Sequence, residues 1–86
     1  QMKIELKEGL QFEIEDTAVN DWRLVEMFNE IDENPFVVAK IAKFILKEDS
    51  YDKLLEINKD EKGHIDAGKV EGMLTDIFLA SNATKK

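Results

Sequence analysis

Residues 2–15 alternate between apolar and polar side chains on both sides of a single glycine, Gly9. The apolar residues fall at even-numbered positions, namely Met2, Ile4, Leu6, Leu10, Phe12 and Ile14. Period-two alternation is typical of strands with one buried face, and a glycine between two such runs indicates a β-hairpin. This pattern constrains the fold strongly, because an isolated hairpin is marginal in water and its apolar face must be covered by the rest of the chain.

The register of the hairpin follows from the requirement that directly opposed residues share a face. A two-residue loop would set Leu6 opposite Gln11, which belongs to the other face. A three-residue loop, Lys7–Gly9, sets Leu6 opposite Leu10 and keeps the apolar residues together. Loops of this length often consist of a type I turn followed by a left-handed residue, and we expect Gly9 to be that residue.

Four helices are predicted after the hairpin, because apolar residues recur there at helical spacing. The first covers about residues 20–33, capped by Asn20, and the second covers 36–47 after Asn34-Pro35. A short third helix begins near residue 49 or 50. The fourth follows its cap, Asp66, and gives way to a polar tail at Ser81. The predicted fold class is therefore α+β: an N-terminal β-hairpin followed by a small four-helix bundle, in one domain (1–82) with a polar frayed tail (83–86).

The negative charge of the chain is concentrated in its N-terminal part. Residues 1–34 contain ten acidic and three basic residues, whereas residues 35–86 contain nine of each. This distribution argues against binding to nucleic acid or to anionic membranes. The acidic part either keeps the chain soluble or meets a basic partner, so one possible function is an acidic interaction or inhibitor module that docks a basic host protein.

The polar segment Asn58–Lys69 resembles a calcium-binding EF-hand loop. Asp60 and Asp66 fall at ligand positions, but Lys62 and Lys69 stand where the loop needs an oxygen ligand and the bidentate glutamate. An ordinary turn is the favoured interpretation, and no metal site is predicted. A degenerate single EF-hand-like calcium-binding module is the alternative, with an expected affinity that is millimolar or weaker.

Enzymatic chemistry is not indicated by the sequence. The only histidine, His64, lies in that polar turn with no serine or cysteine nucleophile pattern near it, and the chain has no cysteine. There is no phosphate-binding loop and no dinucleotide fingerprint. We therefore expect no catalytic residues and no cofactor. No apolar run approaches the roughly 20 residues that span a bilayer, and Met2 leads into a charged strand, so we expect a cytoplasmic protein.

The order of elements and the apolar spacing over Met2–Asn82 resemble the small tail assembly chaperones of long-tailed phages and prophages of Gram-positive bacteria. The segments that carry the resemblance are Met2–Ile14, Asn20–Trp22, Val37–Asp49, Asp60–Gly63 and Val70–Phe78. The resemblance implies a non-enzymatic protein of the host bacterial cytosol. By this resemblance it would bind the tape measure protein, with tail tube subunits as further partners, and keep the tape measure protein soluble during tail morphogenesis.

The second predicted helix offers candidate contact residues for such a client. It is apolar nearly all round, which indicates either a central buried helix or a helix with one side open to an apolar partner. Tryptophan is enriched at binding hot spots, which adds Trp22 to the candidates. The predicted partner contacts are Trp22, Val38, Ala42 and Leu46.

Overall fold

In the computed structural model the backbone is described for residues 2–34 and 36–84, and the side chains for residues 2–34 and 36–81. The hairpin strands are β1 (Met2–Glu5) and β2 (Gln11–Ile14), followed by four α-helices. The helices are α1 (Trp22–Glu30), α2 (Val37–Ile45), α3 (Glu48–Ile57) and α4 (Ala67–Thr84). The predicted α+β class, a hairpin followed by four helices, is confirmed.

The predicted register of the hairpin is confirmed. Ile4 lies opposite Phe12 in the antiparallel pair. The Leu6 amide donates to the Leu10 carbonyl at 2.7 Å, which closes the three-residue loop. The predicted type I turn is wrong, because Glu8 has φ +65° as well as Gly9 at +76°. Two consecutive left-handed residues match the twist of the flanking strands, as in a type I′ turn, whereas type I would splay them.

The apolar face of the hairpin forms one wall of a single core. Ile4, Phe12 and Ile14 are each 1% exposed or less. The helices supply the rest of the core, with Leu24, Val37, Ile41, Ala42, Ile45, Leu54, Val70, Leu74 and Ile77 all buried. The charged face of the hairpin is exposed to solvent. The alternating apolar and polar residues of the sequence therefore form the buried face and the exposed face of the hairpin.

The first helix begins later than its sequence suggests. Asn20 belongs to a short 3₁₀ turn, Ala18–Asn20, and the cap is Asp21. Asp21 has extended backbone angles, and its carboxylate accepts from the Arg23 amide at 2.9 Å, which satisfies one free donor of the first turn.

The second helix ends at Ile45, so the prediction that it continues to Lys47 is wrong. Leu46 is extended and forms an antiparallel bridge with Ile14. The Glu15 amide donates to the Ile45 carbonyl at 2.9 Å, and the Lys47 amide donates to the Glu13 carbonyl at 3.1 Å. Strand β2 has backbone groups on its outer edge that need partners, and the chain after α2 supplies them.

The fourth helix starts where the sequence predicted and ends later. The Asp66 carboxylate accepts from the Lys69 amide at 2.9 Å, which confirms Asp66 as its N-cap. Ser81, where fraying was expected to begin, is buried and donates to the Phe78 carbonyl at 2.7 Å. The helix continues through Thr84, and positions 85 and 86 of the predicted tail lie outside the described residues. None of the helices in the described part of the chain combines the length and apolar character needed to cross a membrane.

Candidate functional site

An open apolar groove lies between α2, α3 and the first turn of α4. Its volume is about 240 Å³. Every residue that lines it is apolar or aromatic: Phe36, Val38, Ala39, Ala42, Tyr51, Leu55, Ile65, Ala67 and Val70. The residues are contributed by three helices and the segments that precede two of them, so the groove exists only in the folded chain.

The groove arises from the way α2 is buried. Ile41 and Ile45 are fully buried in the core. The adjacent side of α2 faces α3 and α4. That side carries two alanines, Ala39 and Ala42, three residues apart on one face. Because their side chains are short, they leave space that a larger residue would fill, and Tyr51 of α3 forms part of the opposite wall.

Phe36 stands at the rim of the groove and is 86% exposed. Its amide donates to the Asn34 side-chain oxygen at 3.2 Å, which ties the segment that enters α2. An aromatic ring that is almost fully exposed beside an apolar groove is typical of a protein-binding surface rather than of a ligand pocket, which encloses most of its ligand.

The structure separates the four predicted contact residues. Val38 and Ala42 both line the groove, but Ala42 is only 1% exposed and forms part of the floor of the groove at the core. Trp22 is 69% exposed but lies on α1, where it borders a different depression with Val25 and Phe28. Leu46 is 5% exposed and bridges Ile14, so the expectation that it faces a partner is corrected: its side chain belongs to the core.

Sequence reasoning missed the contribution of the later helices to the groove. Tyr51, Leu55 and Ile65 were not among the predicted contact residues, yet they form its second and third walls. Tyr51 and Leu55 stand four residues apart on one helix face, which was a visible signal. The sequence did not indicate which other helix that face meets.

The lysine edge of α2 does not form a basic patch. Lys43 lies over the ring of Tyr51, with its Nζ atom 5.8 Å from the ring centre, and Lys47 forms an ion pair with Glu15 at 2.5 Å. These contacts hold Lys43, in the last turn of α2, and Lys47, which follows the helix, against neighbouring elements. In the described residues, the polar edge of α2 is therefore tied to neighbouring elements.

The turn between α3 and α4 is organised by Asp60. One oxygen of its carboxylate accepts from the amides of Lys62 and His64, each at 2.9 Å. The hydrogen bond from the His64 amide is the largest contribution to the lowered pKa of Asp60. Gly63 supplies the bend with φ +85°. Among the described residues no group of three or more acidic or histidine side chains is arranged to hold a metal ion.

A bidentate ion pair lies at the start of α1. The Arg23 guanidinium donates to both carboxylate oxygens of Asp21, at 3.0 and 2.7 Å. These hydrogen bonds, together with the one from the Arg23 amide, lower the pKa of Asp21 to about 2. Arg23 also lies over the ring of Phe44, 5.2 Å from its centre, so its charge is directed toward α2.

Comparison with known proteins finds no family model, no curated protein and no solved structure that matches this chain.

Proposed function

We propose that this chain is a protein-binding module that holds an apolar helical segment of a client protein in the groove between α2, α3 and α4. The observation that carries this proposal is the uniformly apolar lining of that groove beside the exposed ring of Phe36. Grooves of this kind commonly take one face of an amphipathic helix, anchored by residues spaced three and four apart.

The client that we propose is a phage tape measure protein, with the chain acting as a tail assembly chaperone. This step rests on the resemblance of the element order to small tail assembly chaperones. Two features of the molecule suit the role. The groove offers apolar contact to a client that is rich in apolar helix, and the net charge of −7 favours solubility of the chain and of its complex.

The proposal is tested by co-expression with a candidate tape measure protein from the same phage. The soluble fraction of the client and its co-purification with this chain are measured. The informative variant is Ala39→Glu, because Ala39 is exposed and lines the groove, so a carboxylate there blocks the groove without entering the core. Phe36→Ser removes the exposed aromatic rim.

The matched control is Leu79→Ser, which removes an exposed apolar side chain of α4 that does not line the groove. We expect the wild type and the Leu79→Ser variant to solubilise the client, and the Ala39→Glu and Phe36→Ser variants to lose most of this effect. Binding should persist in high salt, because apolar contacts are not screened. A client that stays insoluble beside the well-folded wild-type chain contradicts the proposed function.

A further inference from the structure

The outer face of α1 carries apolar side chains that the fold leaves uncovered. Leu24 is buried, and Phe28 packs on Phe78 of α4 with ring centres 4.8 Å apart, which defines the inner side of the helix. Beside Phe28, on the flank of the helix that borders solvent, Trp22 is 69% exposed and Val25 is 51% exposed. Together with Asn29, one turn further along, these two residues form what we call the α1 ridge.

The C-terminal end of α1 and the turn that follows it are strongly negative. Glu30, Asp32 and Glu33 are exposed there, and none of them forms an ion pair with another described residue. The C-terminal end of a helix also carries partial negative charge from its free carbonyl groups. A cation placed beside this end would therefore be attracted by three carboxylates and by the helix itself.

No neighbouring base along the chain neutralises this end. Arg23 is the only basic residue between Lys7 and Lys40. Its guanidinium is held by Asp21 in two hydrogen bonds and lies over Phe44, away from the acidic end. Lys40 and Lys43 of α2 line the same surface depression as Glu30, but neither lysine forms an ion pair with Glu30.

We infer that the α1 ridge is a second docking surface, and that its occupant is an amphipathic helical segment with apolar residues along one face and lysine or arginine near one end. The apolar part covers Trp22 and Val25, and the basic end meets Glu30, Asp32 and Glu33. Charge disfavours a second copy of this chain as the occupant, because each copy carries a net charge of −7 and its first 34 residues hold ten acidic against three basic residues. The inference does not rest on the proposed function, since the ridge and the groove share no lining residue.

Trp22 makes this inference directly testable, because it is the only tryptophan of the chain and its fluorescence reports on the ridge alone. Three synthetic helical peptides of about 18 residues, or five turns, serve as probes. The first has a leucine stripe and lysines elsewhere, the second has the same stripe with glutamates, and the third keeps the lysines but replaces the stripe by glutamine. We expect only the first peptide to shift the Trp22 emission to shorter wavelength, with saturation.

The charge contribution is measured by titrating the first peptide and following the shift in Trp22 emission, which reports on the ridge alone. Glu30→Lys/Glu33→Lys should weaken binding by about tenfold or more, whereas Asp52→Lys/Glu61→Lys, with the same change in net charge at exposed sites on α3 and the following turn, should weaken it much less because of screening over about 8 Å. An unshifted Trp22 emission, or equal losses in the two double variants, overturns the inference.

Discussion

Leu46 and Ile14 face each other across a short antiparallel bridge that joins the end of α2 to the outer edge of strand β2. The bridge places Leu46 in the core, where it is 5% exposed. It also explains why α2 stops at Ile45, since the following residues are extended to satisfy the backbone of β2. A residue that helical periodicity assigned to an open face therefore contributes to stability instead.

Replacement of Leu46 should destabilise the fold rather than impair binding selectively. Leu46→Ala is expected to lower the free energy of unfolding by about 2–4 kcal/mol. The removed atoms no longer contribute buried apolar surface, and a cavity remains in their place. Urea unfolding followed by circular dichroism measures the loss. The control is Leu79→Ala, which removes a side chain that is 59% exposed and should change stability by about 0.5 kcal/mol or less. Equal losses in the two variants would show that Leu46 is not a core residue.

Ser50 should contribute to stability through a single hydrogen bond to the hairpin. Its buried hydroxyl oxygen accepts from the Glu13 amide at 2.6 Å. Ser50→Ala leaves that amide without this acceptor, so we expect a loss of about 1–3 kcal/mol in the same unfolding measurement. Thr75→Ala removes an exposed hydroxyl that bonds within its own helix and should be nearly neutral. A neutral Ser50→Ala variant would contradict the assignment.

Glu8 occupies a backbone conformation that its side chain disfavours. Its φ of +65° is left-handed, and Gly9 follows with φ +76°. Glu8→Asn creates the Asn-Gly sequence that type I′ turns prefer and should raise stability by about 0.5–1 kcal/mol. Glu8→Gln makes the same change in charge and is the control, with little expected gain. Gly9→Ala should lower the stability of the fold by about 1 kcal/mol, because alanine disfavours the left-handed conformation. A gain from Glu8→Gln equal to that from Glu8→Asn would point to charge instead of backbone strain.

Acid should remove the contribution of Asp21 to stability. Hydrogen bonds from Arg23 lower the pKa of Asp21 in the folded chain to about 2, from 3.8. The charged form is thus favoured by folding, so its contribution is fully present above the unfolded-state pKa and is lost as the pH falls through about 4 to 2. Thermal unfolding of the wild type and of Asp21→Asn measures this loss. The wild type should be more stable at neutral pH, and the difference should shrink toward pH 2. A difference that stays constant with pH would mean that the Asp21 carboxylate is not the group responsible.

Calcium should not stabilise the turn between α3 and α4. One Asp60 carboxylate oxygen already accepts two backbone hydrogen bonds, and Lys62 and Lys69 stand at positions where an EF-hand loop has oxygen ligands. We expect the same melting temperature in about 1 mM calcium as in chelator, because a ligand stabilises only the state that it binds. Asp60→Asn should lower the melting temperature in both conditions. A rise that occurs only with calcium would restore the interpretation as a calcium-binding module.

The elements that sequence reasoning predicted well are those governed by local patterns. The alternation around Gly9 determined the hairpin register, because only one register puts Ile4 opposite Phe12 on the buried face. Asp66 was identified as the cap of α4 because capping depends on residues within one turn. Among the candidate contacts, Val38 and Ala42 both line the groove, as their spacing of four on one helix allows, and their contact with a partner stays a prediction.

The errors occur where distant segments decide the outcome. Leu46 continues an apolar helical pattern, and only the unpaired edge of β2 makes an extended conformation preferable there. Asn20 and Asp21 are both good caps by residue type, and the choice between them depends on the 3₁₀ turn that precedes α1. Ser81 looks like the start of a polar tail, yet it is buried.

The amino-acid sequence therefore determined the class, the order and the buried faces of the elements, because propensity, capping and periodicity act over a few residues. The tertiary structure alone decided where those elements meet. It turned Ala39 and Ala42 into one side of a groove by setting Tyr51 opposite them, and it left Trp22 on the side of α1 that no other described element covers. Surfaces of this kind depend on the relative placement of helices, which the residues of any one helix do not encode.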